Sequence, residues 1–134
     1  MKTIDSSGWI EFATDGPLAD RYLPHLKDLS QVITPSIVVY EVYKRLKRDA
    51  SEAAADAIIA EMGKTRIVPL DDQLALQAAD VSLALGLAMA DAIVYTTAQA
   101  HHATLITGDA DFKNLPGVDY LKKSSAWLRA APAT

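Results

Sequence analysis

Thr104-Leu105-Ile106-Thr107-Gly108-Asp109-Ala110-Asp111-Phe112 is the stretch on which the reading of this chain turns. Leu105 and Ile106 have the character of a buried strand, Gly108 marks a tight turn, and two acids stand one residue apart in the loop that follows. In open α/β sheets ligands bind just beyond the carboxyl ends of the strands, so an apolar run that delivers carboxylates there marks a candidate site. Aspartate after glycine is also ordinary turn chemistry. The stretch therefore gains meaning only if other acids reach comparable positions.

They do. Lys2 to Ile4 reads as a short strand that delivers Asp5, after which Ser6 or Ser7 caps a helix through Trp9, Ile10 and Phe12. Asp15-Gly16-Pro17 offers a cap and a first-turn proline, and Leu18, Tyr22, Leu26 and Leu29 recur at helical spacing, with Pro24 as a kink or restart. Gln31 to Thr34 is a second strand. It feeds a helix that carries Ile37, Val38, Tyr40, Glu41, Val42 and Leu46, with Lys44, Arg45, Lys47 and Arg48 toward its end. An alanine-rich helix from Ser51 to about Met62 stops near Gly63. Arg66 to Leu70 is a third strand. Asp71 and Asp72 then open a long helix that ends near Gly86, and an apolar helix with Asp91 in its first turns leads back to Thr104. Asp119 to Leu121 is a weak last strand.

Strands alternating with helices predict a three-layer α/β/α domain around a central, mainly parallel sheet. At 134 residues the chain is expected to be one domain, residues 1–134, with a tail of uncertain structure from about residue 124. Half the residues are hydrophobic and 22% are charged, which excludes a disordered chain. A net charge of −4 argues against a protein that coats DNA or an anionic membrane by bulk attraction. It leaves room for a nuclease, because acids that hold cations lower the formal charge. The absence of cysteine removes disulfides, thiolate metal sites and a cysteine nucleophile. With no apolar stretch suited to a signal peptide, and with Asp91 interrupting the longest apolar region, the expectation is a cytoplasmic protein that makes no membrane contact.

In this architecture Asp5, Glu41, Asp91, Asp109 and Asp111 all belong to the carboxyl edge of one sheet. Four or five carboxylates gathered there repel one another by several kcal/mol at an effective dielectric of about 20, unless cations neutralise them. Oxygen-only ligands select hard ions such as Mg²⁺ or Mn²⁺.

Asp5-Ser6-Ser7 near the start, Glu41 within Val38-Val39-Tyr40-Glu41-Val42, Asp91-Ala92 opening an apolar helix, and Thr107-Gly108-Asp109-Ala110-Asp111-Phe112 together resemble the PIN-domain ribonucleases, specifically the VapC-type toxins of toxin-antitoxin pairs. The resemblance runs in order over almost the whole chain. It implies a Mg²⁺- or Mn²⁺-dependent endoribonuclease that forms a homodimer and is held inactive by a cognate VapB-type antitoxin. Asp5, Glu41 and Asp91 match the family's first three catalytic acids, and the fourth falls at Asp109 or Asp111. The implied metal ligands are Asp5, Asp91 and one or both of Asp109 and Asp111. Thr107 matches the threonine that supports the first aspartate, with Ser6 beside it. In-line hydrolysis by a cation-activated water needs no covalent intermediate. Two alternatives stay open: a receiver-like module that accepts a phosphoryl group, and a PIN fold without nuclease activity that acts only in binding.

Other acids and bases have plainer roles. Arg45, four residues after Glu41, is placed to pair with it across a solvated helix face for about 0.2–0.5 kcal/mol. Asp71 and Asp72 suit helix capping. An EF-hand reading of Asp109 and Asp111 fails, because Asn114 stands where a glycine is required and Tyr120 where a glutamate closes the loop. His101 and His102 suit a helix C-terminus. The basic cluster from Lys44 to Arg48 is ordinarily a solvated face, although its members nearest Glu41 are placed to touch substrate phosphates.

Overall fold

Every strand pairing in the computed structural model, which describes residues 1–122, is parallel. β1 (Lys2–Ile4) lies beside β4 (Thr104–Thr107), and β4 beside β5 (Val118–Tyr120). Thr3 stands opposite Leu105, and Ile106 opposite Asp119. A second ladder pairs β2 (Ile33–Pro35) with β3 (Arg66–Val68). One bridge, Lys2 to Val32, joins the two ladders, so the strands run in the order β3-β2-β1-β4-β5. β1 thus sits between β2 and β4. In the flavodoxin-like order it would sit between β2 and β3, so the receiver-like alternative does not fit this sheet.

Helices flank the sheet, as the alternation of elements predicts. α1 (Ser6–Thr14) is capped by Asp5 itself, whose side chain accepts from the Gly8 N–H, and neither serine serves as the cap. The reason is position: Asp5 is the last extended residue, with its carboxylate already over the first turn. The helical spacing from Leu18 to Leu29 is interrupted at Pro24, where a kink or restart is expected. α2 (Ala19–Tyr22) gives way to tight 3₁₀ turns at Leu23–Leu26, with Pro24 in the first turn, and at Leu29–Gln31. Proline lacks the N–H and crowds the preceding carbonyl, so an α-helix cannot run through it.

α3 (Ser36–Asp49) leaves β2 without a side-chain cap, whereas Ser51 caps α4 (Glu52–Met62) through the Ala54 N–H. Asp71 caps α5 (Asp72–Leu85) in the role expected of it, and Gly86 closes that helix with a left-handed φ of 70°. α6 (Met89–Ala100) is buried at every position from Ala92 to Ala98. A helix apolar on all sides lies inside the molecule, and this one fixes Asp91 at the point where it emerges. His101 ends α6, with its Nδ1 3.0 Å from the Thr97 carbonyl, and His102 turns away with φ 53°.

The core joins Ile4, Val32, Ile33, Leu105 and Ile106 of the sheet to Trp9, Tyr22, Val38, Val42, Leu46 and Met62 of the helices. Among the described residues no single helix is long and apolar enough to cross a membrane. The stretch from about residue 124, expected to be a tail of uncertain structure, lies outside the described residues.

Candidate metal centre

Parallel pairing places the carboxyl ends of the strands on one edge, and the acids follow from that. Asp5 is the residue after β1, and Asp109 and Asp111 follow β4. α3 leaves from the end of β2, so Glu41 lies between one and two turns above the same edge. α6 leads into β4 and therefore runs back along it, which brings its N-terminus, and Asp91, to the edge as well.

Asp91, Asp109 and Asp111 form the tightest group. One carboxylate oxygen from each lies within 4.8 Å of the others, with Asp91 and Asp109 partly buried and Asp111 exposed. Three carboxylate oxygens at that spacing form a donor set that fits a hard divalent cation such as Mg²⁺ or Mn²⁺. Burial pushes the Asp91 carboxyl up to about 6, and the charges of Asp109, Asp111, Glu41 and Asp5 add to the effect. All five acids therefore share one electrostatic site, although Asp5 and Glu41 are not part of the tight trio.

Asp5 is buried, 5% exposed, and is held by three donors. Gly8 N–H donates to one oxygen at 3.0 Å, while Ser7 Oγ at 2.9 Å and Thr107 Oγ1 at 2.5 Å donate to the other. Burial raises its affinity for a proton, the donors work against that, and nearby Asp109 adds to the rise. Thr107 Oγ1 also accepts from the Asp109 N–H at 2.9 Å, and Asp109 accepts from the Asp111 N–H at 2.9 Å. A chain of hydrogen bonds thus runs from β1 to the loop after β4.

Glu41 is half-buried, and burial raises it above the usual carboxylate range while the facing Ser6 hydroxyl draws it back. The plainer alternative for Glu41, a pair with Arg45, is not formed: Arg45 reaches toward Asp49 at 4.0 Å instead. Glu41 has no ion-pair partner among the described residues.

Two features escaped the sequence. Ser7 contacts Asp5, while its neighbour Ser6 faces Glu41, because consecutive residues at a helix start point in different directions. Tyr22 accepts from the Gly108 N–H at 2.8 Å. Burial, with the Asp5 charge, pushes the phenol far above its ordinary value, so it stays neutral beside the acids. No spacing signal links Tyr22 to Gly108, and only the fold brings them together. Gly108 itself is not left-handed as a tight turn would suggest. A Cβ there would stand 2.8 Å from Leu18 Cδ1 and 3.4 Å from the Tyr22 hydroxyl, so a larger residue would make the Leu18 side chain shift.

A parallel α/β domain that gathers five carboxylates at its strand ends, without cysteine, defines a class of folds with an oxygen-only acidic centre. The PIN domain family model matches residues 2–118. The chain belongs to the PIN domain family. Its fold is similar to that of a toxin-antitoxin complex from Klebsiella pneumoniae, at 23% identity and a TM-score of 0.76 over 89% of this chain and 96% of that one. It is also similar to VapC20 of Mycobacterium tuberculosis, a sarcin-ricin loop cleaving toxin, at 18% identity and a TM-score of 0.69 over 84% and 92%. VapBC2 from Rickettsia felis, bound to a DNA fragment from its promoter, aligns at 15% identity and a TM-score of 0.72 over 89% and 97%. At these identities the likeness is one of fold. No curated protein matches the chain.

Proposed function

We propose that the protein is a Mg²⁺- or Mn²⁺-dependent endoribonuclease, the toxin of a toxin-antitoxin pair. The observation that carries this reading is the convergence of Asp91, Asp109 and Asp111, whose carboxylate oxygens lie within 4.8 Å of one another; burial and the neighbouring acids raise the Asp91 carboxyl to about 6. Such a site is costly when ionised and empty of cations, and a hard divalent ion relieves the cost. When bound, that ion supplies charge neutralisation and activation of water. Asp91, Asp109 and Asp111 would hold it. At neutral pH Asp91 is ionised and ready to coordinate. Asp5 borders the centre, fixed by Thr107 and Ser7, and Glu41 bounds it on the side of α3. The fold of the PIN family and its VapC neighbours supports RNA as the substrate.

The partners follow the same logic. An acidic centre favours an antitoxin segment that bears arginine or lysine, consistent with a VapB-type antitoxin. Leu76, Leu83 and Met89 are 70%, 86% and 74% exposed on α5 and α6, an apolar surface that supports a homodimer. A cytoplasmic location fits a chain that cleaves RNA.

Cleavage of single-stranded RNA by the purified protein, with Mg²⁺, Mn²⁺ or EDTA, tests the proposal. Asp91→Asn and Asp5→Asn are expected to lower the rate by more than about 100-fold while keeping the fold. Full activity in either variant, or cleavage that survives EDTA, overturns it.

A further inference from the structure

Next to the acids, α3 opens a surface of opposite sign. Ser6 and Ile10 of α1, with Tyr40, Glu41, Lys44 and Arg48 of α3, line a cleft of about 220 Å³. Tyr40, Lys44 and Arg48 recur every fourth residue and so stand in a row along one helix face, about 6 Å per step. Tyr40 is 61% exposed, a large ring open to solvent. The Lys44 ammonium lies 5.4 Å from the ring centroid and 3.3 Å from the tyrosine hydroxyl. Among the described residues Lys44 has no carboxylate partner, whereas Arg45 and Arg48 both reach Asp49. A lysine four residues after a tyrosine accounts for their contact. It does not account for the ring and a cation without a carboxylate partner opening onto the cleft that Glu41 lines.

We propose that this cleft is the subsite for the unpaired nucleotide next to the scissile phosphate, with its base stacked on Tyr40 and its phosphate held by Lys44. The inference rests on the ribonuclease reading and adds how substrate is held. A stacking ring beside a cation suits single-stranded RNA, whose bases are free to stack and whose backbone is anionic. A basic antitoxin segment is repelled by Lys44 and Arg48 and drawn instead to the acidic trio. The two surfaces therefore sort two polyions of opposite charge.

Binding of a labelled single-stranded oligoribonucleotide is measured by anisotropy in the full chain carrying Asp91→Asn, across a range of salt. Tyr40→Ala is expected to weaken binding by about ten-fold or more, and Tyr40→Phe by no more than about two-fold, because stacking needs the ring and not the hydroxyl. Lys44→Ala is expected to reduce the slope of log affinity against log salt by about 0.7, the value for one phosphate on a single strand. In the chain with Asp91 intact, both variants raise KM more than they lower kcat. Both residues are exposed, so thermal unfolding serves as the check that the fold is kept. Parental affinity and salt slope in Tyr40→Ala and Lys44→Ala, or equal damage from Tyr40→Phe and Tyr40→Ala, overturn the subsite. If that happens while the parent still cleaves RNA, the ribonuclease reading survives. If the parent cleaves no RNA, that reading fails whatever the binding shows.

Discussion

The Thr107 hydroxyl donates to Asp5 and accepts from the backbone of Asp109, so one oxygen links two acids that are 104 positions apart in sequence. Thr107→Val keeps the shape and removes both bonds. It is expected to cost about 1.5–3 kcal/mol, the range for a hydrogen bond to a buried charged group, and to lower cleavage by about 10–100-fold. Thr107→Ser, which retains the hydroxyl, should stay close to the parent in urea unfolding and in rate. Asp91 makes a second residue-scale prediction. Its carboxyl titrates at about 6 in the fold and near 3.8 in an ordinary setting. Between those values the native state holds more protons than the unfolded chain, so the contribution of Asp91 to stability falls as pH rises from about 4 to 6. Metal-free Asp91→Asn should therefore match the parent below about pH 4. Above pH 6 it should be more stable by about 1–2 kcal/mol, once solvent screening of a half-buried group is allowed for. A parent that is the more stable of the two at pH 7 without metal contradicts this.

Elements are fixed here by contacts at their ends. α1 begins where Asp5 caps it, and its first turn is pressed against the sheet at Gly8. A Cβ at Gly8 would stand 2.5 Å from Tyr22 Cε1 and 2.6 Å from Ile4 Cγ2, both in fully buried side chains. Gly8→Ala must therefore move a helix or an aromatic ring, for about 1–3 kcal/mol and a melting temperature lower by several degrees. Because the displaced helix carries Ser6 and Ser7, activity should fall as well. An unchanged melting curve would show that α1 is not seated as described. α6 is the opposite case, an element fixed along its whole length by burial from Ala92 to Ala98. The firm placement of Asp91 at the start of α6 follows from that.

At the scale of the whole molecule, charge is separated: acids converge at the strand ends and bases line the cleft on α3. Anything that binds the acidic centre of the native state alone stabilises the whole fold by mass action. At a divalent ion concentration 100 times its dissociation constant, the gain is about 2.7 kcal/mol. Mg²⁺ or Mn²⁺ should therefore raise the melting temperature of the parent at pH 7.5 and have little effect on Asp91→Asn, as read by calorimetry. The apolar surface of α5 and α6 makes a separate prediction. Leu83→Glu with Met89→Glu should convert the proposed homodimer to a monomer in light scattering without unfolding it, since both side chains are more than 70% exposed.

Much of this was legible in the sequence because it rests on local signals. Periodicity and strand-helix alternation located all five strands to within about two residues, and capping chemistry identified Asp71 and Ser51. The acids could be assigned to one edge because a parallel sheet puts the ends of β1 and β4 and the starts of the helices that leave its strands on the same side. The sequence could not decide what depends on direction and distance. Pro24 marks a kink or restart between Leu18 and Leu29, yet it does not say that the segment after it winds as 3₁₀ turns. Arg45 has the right offset to pair with Glu41, yet Asp49 takes it. Ser7 faces Asp5 and Ser6 faces Glu41, and Gly108 lies close to Leu18 and Tyr22. Local chain geometry repeats with a fixed period and is written into neighbouring residues, whereas the partners of a side chain are set by which distant segments the core brings within a few ångströms. The sequence by itself determined the elements and which acids could meet. Only the tertiary structure decided that Asp91, Asp109 and Asp111 form the tight group, that Asp5 is held beside them by Thr107, and that Glu41 opens onto a basic cleft.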